Sequence, residues 1–253
     1  MADVCILKTD GTNCDAETAY AVELEKGTPQ IVHVNEFRSG SRHFRDFGAL
    51  IIPGGFSYGD DVASGRVLAN ELIAFFKDQL REFIGLERPI LGICNGFQVL
   101  VRAGILPSCT LGSMEVTLAF NDTALFEHRW VELVPGGAGC MFTAGITRPI
   151  MLAAAHGEGR VDMTSEMLES VKRNDQVVFR YAENGRPTEK YPANPNASLW
   201  AIAALCDSTG LILGMMPHPE RFVDETQHPN WRRMRVEKPH GRLIFENLTR
   251  FIN

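Results

Sequence analysis

An apolar strand that runs straight into Gly-x-Cys-x-Gly constrains this chain more than any other feature. Pro89-Ile90-Leu91-Gly92-Ile93-Cys94-Asn95-Gly96-Phe97-Gln98 reads as a short buried strand, a sharp turn carrying the sulfur, and a helix that starts at once. That is the layout of a nucleophile elbow. The flanking glycines suit a cramped turn, where side chains would collide with the strand or the helix. A thiol held there sits at the positive end of a helix dipole beside backbone N–H groups, which favours thiolate. Alone, the motif fits a buried structural cysteine behind a core strand equally well, so the rest of the chain has to decide.

Strand-like and helical runs alternate over the first half. Residues 4–8, 30–35 and 49–52 read as strands, the last apolar throughout, as a central parallel strand should be. Residues 14–26 read as a helix with Thr12 or Asn13 as its cap. In residues 67–84 the apolar Leu68, Leu72, Phe75, Phe76, Leu80 and Phe83 recur at helical spacing and predict one buried stripe. The helix after the elbow, residues 95–103, is stopped by Gly104 and Pro107. Repeated βαβ units imply an α/β fold: an open, mainly parallel sheet with helices on both faces. The second half changes to short β-like runs at 114–119, 130–134, 151–155, 177–181, 200–205 and 211–215. These predict an antiparallel extension plus returning central strands, and residues 241–253 predict a closing helix on the sheet. No linker or repeat interrupts the chain, so residues 1–253 read as one domain.

Bulk properties exclude several function classes. The net charge is −6 and the densest basic run is the short Arg232-Arg233-Met234-Arg235, so neither nucleic acid nor a membrane surface is an expected partner. No apolar stretch approaches the roughly 20 residues of a membrane span, and the opening residues do not resemble a secretory signal. The six cysteines follow no paired spacing, with neither CxxC nor a Cys/His cluster. That argues against a zinc site, any other metal site and a disulfide framework, and for a reduced, cytoplasmic protein. The glycine run Gly136-Gly137-Ala138-Gly139 and the Pro-Ala-Asn-Pro-Asn loop lack the lysine and helix start of a phosphate-binding loop.

A cysteine nucleophile needs a base, and the base needs an orienting group. His33, His43, His128, His228 and His240 sit in a strand, in polar loops or near the C-terminus, and read as surface or structural. His218 differs: it follows the apolar Ile212-Leu213-Gly214-Met215-Met216 and lies in Pro217-His218-Pro219-Glu220. If the prolines keep this segment extended, residues two apart point the same way and Glu220 lies beside His218. A base carried past a strand's C-terminal end shares the sheet edge where open α/β folds bind ligands. An oxyanion would need preset N–H donors. Asn95, just after the cysteine, offers one, and the glycine pair in Ile52-Pro53-Gly54-Gly55-Phe56-Ser57-Tyr58-Gly59-Asp60-Asp61 offers another.

Pro-Gly-Gly, Gly-x-Cys-x-Gly-x-Gln and His-Pro-Glu, in that order, resemble the class I (triad-type) glutamine amidotransferase family. Thr9-Asp10-Gly11-Thr12-Asn13-Cys14-Asp15, His156-Gly157-Glu158-Gly159-Arg160 and Tyr191-Pro192-Ala193-Asn194-Pro195-Asn196 carry the resemblance over nearly the whole chain. They point to the branch that supplies ammonia for making formylglycinamidine ribonucleotide in purine biosynthesis. The resemblance implies a flavodoxin-like sheet and a glutaminase that works through a cysteine thioester. It implies Cys94, His218 and Glu220 as catalytic residues, and Gly55 or Gly54 with Asn95 as the oxyanion hole. Gln98, Phe56, Ser57, His156, Gly157 and Glu158 would shape the glutamine site. It further implies no cofactor in this chain, ATP and Mg being used by a larger synthase subunit that receives the ammonia. Whether a third small subunit joins is left open, as are a different ammonia acceptor and a non-catalytic scaffold role. Cys14 reads as structural.

Overall fold

The computed structural model describes residues 3–137, 139–233 and 236–253. Ala138 of the glycine run, and Met234 and Arg235 of the arginine run, lie outside the described residues. In the first half, β1 (Asp3–Lys8), α1 (Asp15–Leu24), β2 (Thr28–His33), α2 (Val34–Arg38), β3 (Ala49–Ile52), α3 (Arg66–Gly85), β4 (Ile90–Ile93) and α4 (Asn95–Arg102) follow one another. Then come β5 (Thr117–Phe120), β6 (Glu127–Pro135), β7 (Ile150–His156), β8 (Glu158–Asp162), α5 (Ser165–Arg173), β9 (Val177–Glu183), β10 (Arg186–Pro187), β11 (Ile202–Cys206), β12 (Ile212–Met215) and α6 (His240–Ile252).

The described residues form a main sheet in the order β2-β1-β3-β4-β12-β11-β9-β6-β7, with β10 pairing β9. From β2 through β12 every pairing is parallel, and from β12 through β7 every pairing is antiparallel. The parallel half is the flavodoxin-like part, and the antiparallel half is the predicted extension. The central strands β3 and β4 are buried along their whole length, which explains why their sequences are unbroken runs of apolar residues and glycine. Among the described residues no helix is long and apolar enough to cross a membrane.

Local chemistry explains most departures from the sequence reading. The strand expected to reach Asn35 ends at His33, whose ring accepts the N–H of Asn35 and caps α2. Helix α1 begins at Asp15 with Cys14 at its N-cap position, and neither Thr12 nor Asn13 caps it. Thr12 instead accepts the backbone N–H of Thr9, tightening the turn after β1. Phe75 does not belong to the buried stripe of α3: it is 63% exposed, with the Arg38 guanidinium over its ring at 4.6 Å. Residues 158–162, read as loop, are β8, which pairs with β5 in a separate two-stranded sheet. The β-like run at 114–119 is β5, shifted to Thr117–Phe120. Helix α5 escaped the sequence reading, although Thr164 accepts the Met167 N–H at its start and Lys172 and Arg173 close its last turn. Trp200 belongs to a 3₁₀ turn ahead of β11, and His128 lies in β6, not in a loop.

Candidate active site

Cys94 stands between β4 and α4 with φ 51° and ψ −103°, a left-handed backbone that a non-glycine residue adopts only under constraint. The constraint is visible in the packing. The Cys94 N–H donates to the Met215 carbonyl of β12 at 2.7 Å, and the turn is pressed onto β3. A Cβ on Gly96 would stand 1.8 Å from the Ile52 carbonyl oxygen, so only glycine lets α4 start there. Cys94 is 6% exposed, and its sulfur lies 3.5 Å from the Ala155 carbonyl.

His218 follows β12 and is fixed by its backbone N–H, which donates to the Ala153 carbonyl at 2.7 Å. Its Nδ1 lies 2.6 Å from Glu220 Oε1, and both side chains are buried. The two meet because Pro219–Arg221 is a 3₁₀ turn, not the extended segment expected from the prolines. Burial alone would depress the His218 pKa. The Glu220 carboxylate and the neighbouring Cys94 sulfur outweigh it and hold the ring well above the ordinary imidazole range. Nε2 has no partner among the described residues.

The glycine loop after β3 closes over this pair. Gly54 packs against the histidine ring, since a Cβ there would meet His218 Cε1 at 2.7 Å, and its carbonyl accepts the Cys14 N–H. Gly55 bridges to Thr12. No hydrogen bond among the described residues engages the N–H of Gly55 or of Asn95. The Asn95 side chain ties the elbow to this loop: its Oδ1 accepts the Ser57 N–H at 3.3 Å, and its Nδ2 donates to Asp60 Oδ1 and Gln98 Oε1 at 3.0 Å each. Gln98 Nε2 in turn donates to the Glu158 carbonyl at 2.6 Å.

A cavity of about 330 Å³ gathers Cys94, His218, Gly55, Phe56, Gln98, His156, Gly157 and Glu158. Gly54, Ser57, Asn95 and Glu220 stand behind this lining. Asp60, Ser64, Phe120, Phe126, His128 and Arg221 also line it and were not singled out from sequence. Asp60 lies within the glycine loop and Arg221 directly follows His-Pro-Glu, so a reading by residue type could have found these two.

His156 is 2% exposed, and its tautomer follows from its neighbour. Asn121 spends its amide on the carbonyls of Leu125 and His156, so Asn121 Oδ1 accepts from His156 Nδ1 at 3.0 Å. Burial first, then the nearby His218, push the His156 pKa down to about 3, which leaves a neutral ring with Nε2 as an acceptor. Glu158 is held by Arg102 and by the Ser64 N–H. The Asn-Pro-Asn loop supports the same strand from behind: Asn196 Nδ2 donates to the Gly159 carbonyl and Ser198 Oγ accepts the Val161 N–H.

The chain matches the family model of the CobB/CobQ-like glutamine amidotransferase domain over residues 1–252. It is 41% identical to the phosphoribosylformylglycinamidine synthase subunit PurQ of Dehalococcoides mccartyi, covering 97% of this chain and 96% of that one. The PurQ of Archaeoglobus fulgidus is 38% identical, covering 86% of each. Among solved structures, the structure of PurLQS from Thermotoga maritima aligns over 100% of both chains with TM-score 0.76 and 28% identity. A putative GMP synthase component from Thermoplasma acidophilum aligns with TM-score 0.58 at 15% identity, over 100% of this chain and 94% of that one, a likeness of fold alone.

Proposed function

Since the chain belongs to the CobB/CobQ-like glutamine amidotransferase domain family, we propose that it is the glutaminase component of a phosphoribosylformylglycinamidine synthase. It hydrolyses glutamine and passes ammonia to a synthase subunit in purine biosynthesis. One observation carries the chemistry: a cysteine forced to φ 51° at a strand–helix junction shares a cavity with a histidine whose far nitrogen is held by a buried glutamate.

The reaction divides between these groups. The Cys94 thiolate attacks the side-chain amide carbon of glutamine, and the N–H groups of Gly55 and Asn95 hold the oxygen as charge develops on it. Gly54 acts as the spacer that lets the loop lie against His218. His218, steadied through Nδ1 by Glu220, protonates the departing ammonia from Nε2 and leaves a γ-glutamyl thioester. A water molecule then gives its proton to His218 and attacks the thioester, releasing glutamate and restoring the thiolate. Burial holds the Asp60 carboxyl above its ordinary range, and together with Glu158 it makes the acceptor-rich end of the cavity that suits the α-ammonium group. Gln98, Phe56, Ser57 and the residues 156–158 shape and brace the pocket around the substrate.

No cofactor is assigned to this chain. ATP and Mg²⁺ belong to the larger subunit. The likeness to PurLQS supports a synthase partner, and six free thiols suit the reducing cytoplasm. The test is glutamate release from glutamine by wild type and Cys94→Ala, alone and with the synthase partner, ATP and formylglycinamide ribonucleotide. Release that rises with the partner and vanishes in the variant is the expected result. Partner-independent release would mean a different acceptor, and no release under any condition would leave only a scaffold role.

A further inference from the structure

Three buried donors converge under the glycine loop, and the proposed reaction uses only two of them. A sulfur of Cys14, a ring nitrogen of His218 and a carboxylate oxygen of Glu220 lie within 4.8 Å of one another, and all three side chains are buried. The first two flank the Cα of Gly54, where a Cβ would stand 3.2 Å from Cys14 Sγ and 3.3 Å from His218 Nδ1. Only glycine keeps a side chain out from between them. Glu220 Oε1 faces Nδ1 at 2.6 Å, while Oε2, on a fully buried side chain, has no partner among the described residues. A carboxylate oxygen left bare in the interior is costly, and a cation would satisfy it. Cys14 Sγ accepts from Arg221 Nη2 at 3.3 Å, so positive charge already faces the sulfur. The donors come from opposite ends of the chain, and no ligand spacing in the sequence announces them.

Thiolate, imidazole and carboxylate together are a donor set for zinc and similar thiophilic ions. We propose that Cys14, His218 and Glu220 form a site for Zn²⁺ or a chemically similar divalent cation, and that occupying it switches the glutaminase off. The ion takes the place of the Nδ1 proton and is bound by the Glu220 carboxylate. Cys14 and Nδ1 each give a proton to solvent, Nδ1 becomes a ligand, and the ring's remaining proton stays on Nε2. That nitrogen can then no longer accept a proton from Cys94 or from water. Metal–donor lengths of about 2.0–2.3 Å set donor separations of roughly 3.3–3.7 Å in a tetrahedron. The Nδ1···Oε1 contact has to open by somewhat less than about 1 Å and the sulfur, within 4.8 Å of both partners, to close in by at most roughly 1.3 Å, changes within reach of side-chain rotation. His218 and Arg221 line the cavity, which provides the way in.

Metal binding does not depend on the glutaminase reading, whereas inhibition rests on it, so the two are read separately. Co²⁺ is titrated into the full chain carrying Cys94→Ser, with near-ultraviolet thiolate-to-cobalt absorption as the signal. The expected result is a band that Zn²⁺ displaces and that Cys14→Ala removes. No band, or one that survives Cys14→Ala, overturns the site. In the active protein with its synthase partner, Zn²⁺ suppresses glutamate release reversibly, and Cys14→Ala raises the concentration for half-inhibition by at least about tenfold. Equal inhibition of wild type and Cys14→Ala would mean that the metal acts elsewhere and overturn the switch. If Cys14→Ala does not fold, zinc-edge X-ray absorption of the Cys94→Ser protein decides: one sulfur among nitrogen and oxygen ligands supports the site, and none or several refutes it.

Discussion

At the scale of single residues, the His218–Glu220 pair links catalysis to stability. The folded-state pKa of His218 is raised, so its contribution to stability is fully present below the unfolded value of about 6.5 and is lost as pH rises through the folded value. Glu220→Gln removes the chief cause of the rise. The stability gap between wild type and Glu220→Gln should therefore be widest below the unfolded value of about 6.5 and narrow as the pH rises through the raised folded-state value, read from urea midpoints. A gap independent of pH would show that the pair is not ionic. Cys94→Ala should cut glutamate release by at least about a thousandfold while leaving the melting temperature nearly unchanged, because the sulfur acts in chemistry more than in packing. Asn95→Ala keeps the backbone N–H but strands the Ser57 N–H and the Gln98 acceptor and leaves Asp60 Oδ1 with the Gly65 N–H alone. It should cost about 1–3 kcal/mol by chemical denaturation and lower kcat more than it raises KM. These residues differ in how plainly the sequence shows them. Cys94 and His218 stand out as chemistry-bearing residues beside apolar strands. Asn95 shows in the sequence only through its backbone N–H; the work of its side chain does not, because its partners Ser57 and Asp60 come from another strand's loop.

At the scale of elements, the strand–turn–helix of the elbow was legible because its causes are local: an apolar run, glycines, then helical spacing. Gly96→Ala tests how tightly that element is built. A methyl directed at the Ile52 carbonyl has to push α4 off β3, so a loss of at least about 2 kcal/mol in unfolding free energy is expected, together with loss of activity. Activity without destabilisation would mean that the turn has slack. Elements defined by their neighbours were harder to read. β8 alternates too briefly to stand out, and exists because β5 and the Asn196–Ser198 loop hold it. Helix α5 has a capping threonine but only one buried residue, Val171, so its apolar pattern is faint. Phe75 fits the helical period of α3 yet faces outward, since period alone does not say whether the edge of a stripe is covered.

At the scale of the whole molecule, one sheet joins the parallel strands to the antiparallel extension across β12 and β11. The core runs without a break from Val4 in β1 to Leu248 in α6. Calorimetry should accordingly show a single cooperative transition, and two resolved transitions would mean that the antiparallel half folds on its own. The sequence by itself determined the α/β class, the elbow and the order of the three motifs, because periodicity, glycine and proline act over a few residues. Only the tertiary structure decided which of those motifs meet. β3, β4 and β12 lie side by side in the sheet although they are distant in the chain, and that pairing brings Gly55, Cys94 and His218 to one cavity. It also decided that Cys14 joins them from the turn after β1 and that His156 is neutral. Contact, burial and charge at those atoms are set by neighbours that no local pattern names.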